Sequence, residues 1–138
     1  AKGDCFIDPE IKKVNDIDTA VINMTLKNGV LATIQNSRKA VYGYDQRIEV
    51  LGSKGTLIVG NKLLHGVIKG TKDGFTSANP KNFFIDRYKE SYQIEIADFI
   101  RSLSGEAVDH AGVEDGLHAL KIGLAANKSL LQNKPIQL

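Results

Sequence analysis

The sequence predicts an α+β fold: a mostly antiparallel, open-faced sheet with two long helices on one face. Three observations lead there. Residues 18–38 and 46–60 each alternate apolar and polar side chains around a glycine-bearing turn, the period of half-buried strands. From Phe83 onward apolar residues recur every three or four positions instead, the period of a helix. No strand–helix–strand succession interrupts the first half, so nothing there calls for a parallel sheet. Two long helices suffice to cover one side of a sheet of about five or six strands. The other side is then left for water, a partner subunit or another domain.

The first hairpin can be read down to its register. A two-residue Asn28-Gly29 turn would pair Leu26 with Leu31 and Ile22 with Gln35, mixing the two faces. A three-residue Lys27-Asn28-Gly29 loop, with Gly29 left-handed, pairs Leu26 with Val30, Met24 with Ala32 and Ile22 with Ile34. Only the second gives one apolar face. In the next hairpin, QRIEVLG and TLIVG flank a Gly52-Ser53-Lys54-Gly55 turn, and a weaker pair follows across LLHGVIKGTKDGFTS, punctuated by Gly70 and Gly74. The stretch NSRKAVYGYDQRIEV, residues 36–50, reads as a strand that places Tyr42 and Tyr44 on one face.

Ile85, Tyr88, Tyr92, Ile96, Phe99 and Leu103 form the apolar stripe of the first helix, which Gly105 ends. The second runs from Val113 to Gln132 through Leu117, Leu120, Leu124 and Leu131. Glu114 and Asp115 suit its N-terminal turn, Pro135 stops it, and Gly116, Ala119 and Gly123 leave a face for close packing. The last four residues, PIQL, suit a short edge strand, whereas AKGDCFIDPEI at the other end shows no starting element and no initiator Met. That beginning suggests processing of a tag or excision from a longer chain.

Bulk properties exclude several functions. At 138 residues, 42% hydrophobic and 25% charged, the composition is that of one globular domain able to bury a core without staples. A net charge of +2, with acids and bases interleaved, is too weak for a dedicated nucleic-acid surface. No apolar run reaches membrane-spanning length. Cys5 is the single cysteine, which rules out an internal disulfide and suggests a reducing, cytoplasmic setting.

The catalytic inventory is thin. No glycine-rich dinucleotide fingerprint, P-loop, zincin motif or serine nucleophile elbow occurs. His65, His110 and His118 are scattered, and Asp115 with His118 supplies two ligands where a metal site needs three or four. No metal is expected, and the histidines read as surface or capping residues. The tyrosine-rich stretch allows three readings: a solvated strand, an RNA-reading surface or a pocket wall. Against the RNA-recognition-motif pattern only "YGY" fits; Ala40 and Asp45 break it, and the element order is wrong.

NSRKAVYGYDQRIEVLGSKGTL resembles the strand–turn–strand block of the glucose–fructose oxidoreductase/inositol dehydrogenase family. DPEI through DIDTAVINMTLKNGVLATI resembles that family's preceding strands, and FFIDRYKESYQIEIADFI, DGLHAL and NKPIQL resemble its C-terminal helices and tail. The likeness covers essentially the whole chain. "EVLGSKGTL" is family-wide, whereas "NSRKAVYGYDQR" is more typical of the inositol 2-dehydrogenase branch.

The resemblance implies the C-terminal substrate and oligomerisation domain of an enzyme that oxidises a polyol hydroxyl to a ketone. It implies NAD as cofactor, bound by an N-terminal Rossmann domain that this chain lacks. The family's Glu-Lys-Pro lysine and its Asp/His relay also lie outside these residues, so no catalytic residue is expected here and residues 1–138 should be inactive alone. Tyr44, Tyr42 and Tyr88, in that order, are the expected substrate-binding residues, because a polyol needs fixed donors and acceptors. A homodimer or homotetramer through the open sheet face is expected. The alternatives are another sugar or polyol dehydrogenase of the family, or a non-catalytic binding or assembly module.

Overall fold

The computed structural model describes residues 1–138. Its contacts divide the chain into two compact units: residues 1–39 with 109–138, and residues 40–108.

The first unit is built on a three-stranded antiparallel sheet of order β1-β2-β3: β1 (Lys2–Asp4), β2 (Thr19–Thr25) and β3 (Leu31–Ser37). The β2–β3 register pairs Ile22 with Ile34 and Met24 with Ala32, as the single-face argument required. Leu26 N–H closes the loop onto Val30 O at 2.8 Å, and Gly29 takes φ 83°. That dihedral is costly for any residue with a Cβ, which is why the loop carries glycine there.

Between β1 and β2 lies α1 (Pro9–Lys13), a short helix the sequence reading did not anticipate. Its signals are local. Asp8 accepts the Glu10 N–H, Pro9 occupies the first turn, and Lys12 and Lys13 occupy the last. The expectation that the chain starts without an element is therefore corrected twice, by β1 and by α1.

The helix expected from Val113 to Gln132 spans those residues, as α3 (numbered after α2 below). Asp115 accepts the Gly112 N–H at 2.8 Å, a side-chain cap that commits one half of the Asp115/His118 pair. Asn133, two residues before Pro135, caps the helix by turning left-handed at φ 50°. Residues 135–138 add no strand, so the expected edge strand does not form. Ser129, buried, accepts from the Ala1 backbone nitrogen at 2.8 Å and donates to Lys134 O at 2.8 Å, tying the end of α3 to β1. Gly116 and Gly123 face open space, so their close-packing face has nothing against it within the unit.

The second unit contains two hairpins and a helix. β4 (Ile48–Gly52) pairs with β5 (Gly55–Val59), and β6 (Ile68–Thr71) pairs with β7 (Gly74–Ser77), both antiparallel and both turning where expected. The helix α2 (Phe84–Leu103) follows, and Gly105 at φ 84° lies just past its end. The seven strands thus form three separate antiparallel sheets, where one larger sheet was expected.

Burial also departs from expectation. The buried residues are Asp18, Arg87 and Ser129, all polar, and no apolar side chain is buried. The β4–β5 hairpin illustrates why. Ile48, Val50, Leu57 and Val59 share one face, while Leu51 and Ile58 project from the other, so both faces are apolar and both are exposed.

Candidate functional site

Residues 36–50 are not one strand. β3 ends at Ser37, β4 begins at Ile48, and the intervening link is irregular. Gly43 is the cause. Its φ is 132°, a conformation side chains resist, and a Cβ there would stand 2.8 Å from Pro80 O. The link is pressed against residues 80–81: Tyr44 N–H donates to Lys81 O at 2.9 Å, and Lys81 N–H donates to Lys62 O at 3.0 Å. Tyr42 and Tyr44 therefore do not share a strand face, which corrects the alternation argument.

Tyr44 and Tyr88 are brought together. Their rings meet edge to face at 5.9 Å, and Tyr92, one turn along α2, meets Tyr88 at 6.4 Å. Arg87 lies 5.2 Å from the Tyr88 ring centre and donates to Gly60 O at 3.4 Å. Two atoms here, Tyr88 Oη and Arg87 Nε, are buried without a hydrogen-bond partner in the chain. Such groups are costly to leave unpaired, so they favour a partner from outside the chain. Burial, then the Tyr44 phenol beside it, pushes the Tyr88 hydroxyl up, so it remains a protonated donor. Tyr44's own hydroxyl has a single long contact, 3.4 Å to Gln46 Oε1.

Tyr42 turns elsewhere. Its hydroxyl donates to Asp45, whose carboxylate also receives Arg47 Nε at 2.8 Å, Arg47 Nη2 at 3.0 Å and Asn61 Nδ2 at 2.8 Å. Asn61 Oδ1 in turn accepts the Gln46 N–H at 2.9 Å. The Tyr42 hydroxyl, then Arg47 and Asn61, hold the Asp45 carboxyl at about 2. Arg47, although largely exposed, forms a two-pronged pair with Asp45.

Of the three tyrosines, then, Tyr44 and Tyr88 meet and Tyr42 joins a separate polar node. The sequence reading missed Asp45, Asn61, Arg87 and Tyr92 as neighbours. Tyr88 and Tyr92 at i, i+4 carried a visible signal. Asn61, 16 residues from Asp45, carried none.

In the other unit, Asp18 is 4% exposed, and its carboxylate receives the backbone N–H groups of Phe6, Ile7 and Asp8 at 2.8–2.9 Å and the Thr19 hydroxyl at 2.9 Å. Burial alone would raise its pKa, but the donors from Phe6, Asp8, Ile7 and Thr19 prevail and hold it far below the ordinary range. The histidines do not converge: His65 Nδ1 accepts the Val67 N–H at 3.3 Å, and no three His, Cys, Asp or Glu side chains gather into a metal-holding group. No helix is long and apolar enough to cross a membrane.

Comparison with known proteins places these features in context. Residues 7–138 match the family described as "Oxidoreductase family, C-terminal alpha/beta domain". Over the whole chain the sequence is 44% identical to a myo-inositol 2-dehydrogenase of Thermotoga maritima, of which it covers 41%. It is 38% identical over 96% of the chain to an inositol 2-dehydrogenase of Rhizobium meliloti, covering 40% of that protein. A crystal structure of a putative myo-inositol dehydrogenase from Sinorhizobium meliloti superposes with a TM-score of 0.93 at 37% identity, over 99% of this chain and 41% of that one. The chain thus spans about two-fifths of the length of these relatives.

Proposed function

This chain belongs to the oxidoreductase family whose C-terminal alpha/beta domain it matches over residues 7–138, and from that premise we propose that it forms the substrate-facing domain of an NAD-dependent inositol 2-dehydrogenase. The observation that carries this reading is the group of Tyr44, Tyr88 and Arg87, in which Tyr88 Oη and Arg87 Nε have no hydrogen-bond partner in the chain and Tyr44 Oη has only a long one. A polyol has many hydroxyls and little apolar surface, and hydroxyl-bearing rings on fixed backbone suit it. Whole-chain identity to inositol dehydrogenases supports an inositol as the polyol.

NAD does not fit these residues. Every strand pair is antiparallel, and no glycine-rich turn joins a parallel strand to a helix N-terminus, so the chain has no pyrophosphate cradle. Cofactor binding and proton removal are accordingly assigned to a preceding N-terminal domain, and binding and orientation of the polyol to this one. We place the enzyme in the cytoplasm, in keeping with its lone free Cys5.

Purified residues 1–138 should bind no NAD by calorimetry and form no NADH with inositol, whereas the chain joined to its N-terminal domain should do both. Turnover by residues 1–138 alone would overturn the assignment. A joined chain that binds NAD yet oxidises no inositol isomer would favour another polyol or sugar as substrate.

The exposed hairpin supports self-association. Both faces of β4–β5 present aliphatic side chains, Leu51 85% exposed and Leu57 72%, more than a monomer ordinarily leaves in one place. A homodimer or homotetramer packed through these strands is expected. Light scattering at high concentration should show it, and a strictly monomeric species would count against this interface.

A further inference from the structure

Asp45 sits in the irregular link between β3 and β4, and every acceptor position of its carboxylate is taken. Oδ1 receives Arg47 Nε at 2.8 Å and Asn61 Nδ2 at 2.8 Å; Oδ2 receives Arg47 Nη2 at 3.0 Å and the Tyr42 hydroxyl. A carboxylate offers about four lone-pair directions, so the group is saturated. With its side chain 15% exposed and two donors held on a guanidinium fork, it has little freedom to turn.

Saturation of Asp45 has a consequence for Tyr42. A phenol carries one proton, and this one is committed to Asp45. What Tyr42 can still offer a ligand is acceptor capacity only. The Asp45 hydrogen bond, then burial, pushes the Tyr42 hydroxyl up, which keeps that proton in place at ordinary pH. Tyr44 differs. Its hydroxyl makes one long hydrogen bond, 3.4 Å to Gln46 Oε1, and otherwise lies beside the Tyr88 hydroxyl, so no strong acceptor holds its proton from an outside one. Two tyrosines two positions apart thus carry opposite hydrogen-bonding polarity.

We propose that Asp45 is a positioning residue that fixes the polarity of Tyr42, so that Tyr42 accepts a hydrogen bond from one substrate hydroxyl while Tyr44 can donate to another. The proposal rests on the reading that Tyr44 faces a polyol, and it extends that reading to Tyr42 in the same link. An acceptor-only Tyr42 demands a proton-bearing substituent at its position on the ring. A hydroxyl satisfies it; fluorine, which cannot donate, does not.

Asparagine at position 45 would reverse this. Two donors, Arg47 Nε and Asn61 Nδ2, hold Oδ1 against the single Arg47 Nη2 on Oδ2, so the amide oxygen stays on the Oδ1 side, the Arg47 Nη2 bond is lost, and the NH2 group faces Tyr42. Tyr42 then accepts internally and turns its own proton outward.

The test uses the full-length enzyme with inositol and its monodeoxy and monodeoxy-fluoro analogues. In the wild type, one ring position should show fluorine costing as much as hydrogen, each about 10-fold or more in kcat/KM. Asp45→Asn and Tyr42→Phe should each raise KM for inositol by about 10-fold with KM for NAD unchanged, and the double variant should be no worse than either. Tyr42→Phe should also abolish the fluorine penalty at that position. Fluorine tolerated at every position in the wild type would overturn the proposal, and this arm needs no variant to fold. Additive losses in the double variant, or wild-type KM in a folded Asp45→Asn enzyme, would reduce Asp45 to a brace for the link. Failure of the wild type to oxidise any inositol while binding NAD would overturn the inositol reading, and with it this proposal as stated for an inositol ring.

Discussion

Replacing Asp18 with alanine is expected to lower the melting temperature of the chain by roughly 5–15 °C, the largest stability effect of any single polar substitution here. Asp18 is 4% exposed and is the sole acceptor for three consecutive backbone N–H groups, those of Phe6, Ile7 and Asp8, as well as for the Thr19 hydroxyl. Alanine removes the acceptor and leaves the donors without one. Those N–H groups lie in the turn between β1 and α1, so the turn, the Asp8 cap and the β1–β2 pairing should loosen together. The effect should depend on pH in a defined direction. The folded-state pKa of Asp18 lies below its ordinary 3.8, so its contribution is complete above about pH 4 and declines as the pH falls further. Thermal melts followed by circular dichroism should show the gap between wild type and Asp18→Ala widest near neutrality and narrowing below about pH 4. A constant gap down to pH 3 would mean that the lost stability comes from backbone rearrangement rather than from the carboxylate charge.

Asp18 also shows where a sequence yields its structure and where it does not. The β2–β3 register was legible because only one alignment puts Ile22, Met24 and Leu26 on one face with Ile34, Ala32 and Val30. The two long helices were legible for the same reason, with Gly105 and the acids at 114 and 115 marking their ends. Hydrophobic period is a local quantity, and these are local structures. Asp18 reads in sequence as an ordinary polar residue at the start of a strand, because its partners lie 10 to 12 residues back in a turn that has no period. The link at residues 40–47 misled for a related reason. Its tyrosines favour strands, but Gly43 and the hydrogen bond from Tyr44 to Lys81 impose an irregular path, and neither acts through alternation. At α1 the signal was present and overlooked: Asp8-Pro9-Glu10 is a cap, a first-turn proline and a first-turn acid in succession. Within the tyrosine cluster, the i, i+4 pair of Tyr88 and Tyr92 was legible. Which tyrosines meet, and which one is tied to a carboxylate, required coordinates.

Tyr44→Phe is expected to lower catalytic efficiency of the full-length enzyme toward inositol by about 10- to 100-fold, the cost of leaving a buried polar partner unpaired. The substitution removes one oxygen and keeps the ring. Ring packing against Tyr88 at 5.9 Å is retained, as is the backbone bond to Lys81 at 2.9 Å. The hydroxyl makes no strong bond within the fold, only a long one of 3.4 Å to Gln46 Oε1 beside the Tyr88 hydroxyl, so stability should hardly move. NAD affinity should hold as well, because the residues of this chain offer no cofactor cradle. A loss of activity without a loss of stability is what a ligand-facing hydroxyl produces. A hydroxyl that serves only the fold would give the converse, lower stability with intact turnover. The comparison with Tyr88→Phe sharpens the assignment. Tyr88 Oη is buried with no partner in the chain, so removing it relieves an unpaired group and should leave stability equal or higher. If both hydroxyls meet the polyol, both variants lose efficiency, and their combined loss falls short of the sum because they share one ligand. Wild-type kinetics in Tyr44→Phe, measured below saturating inositol, would return Tyr44 to a packing role and leave the Tyr88–Arg87 pair as the remaining place on this unit for a polar ligand.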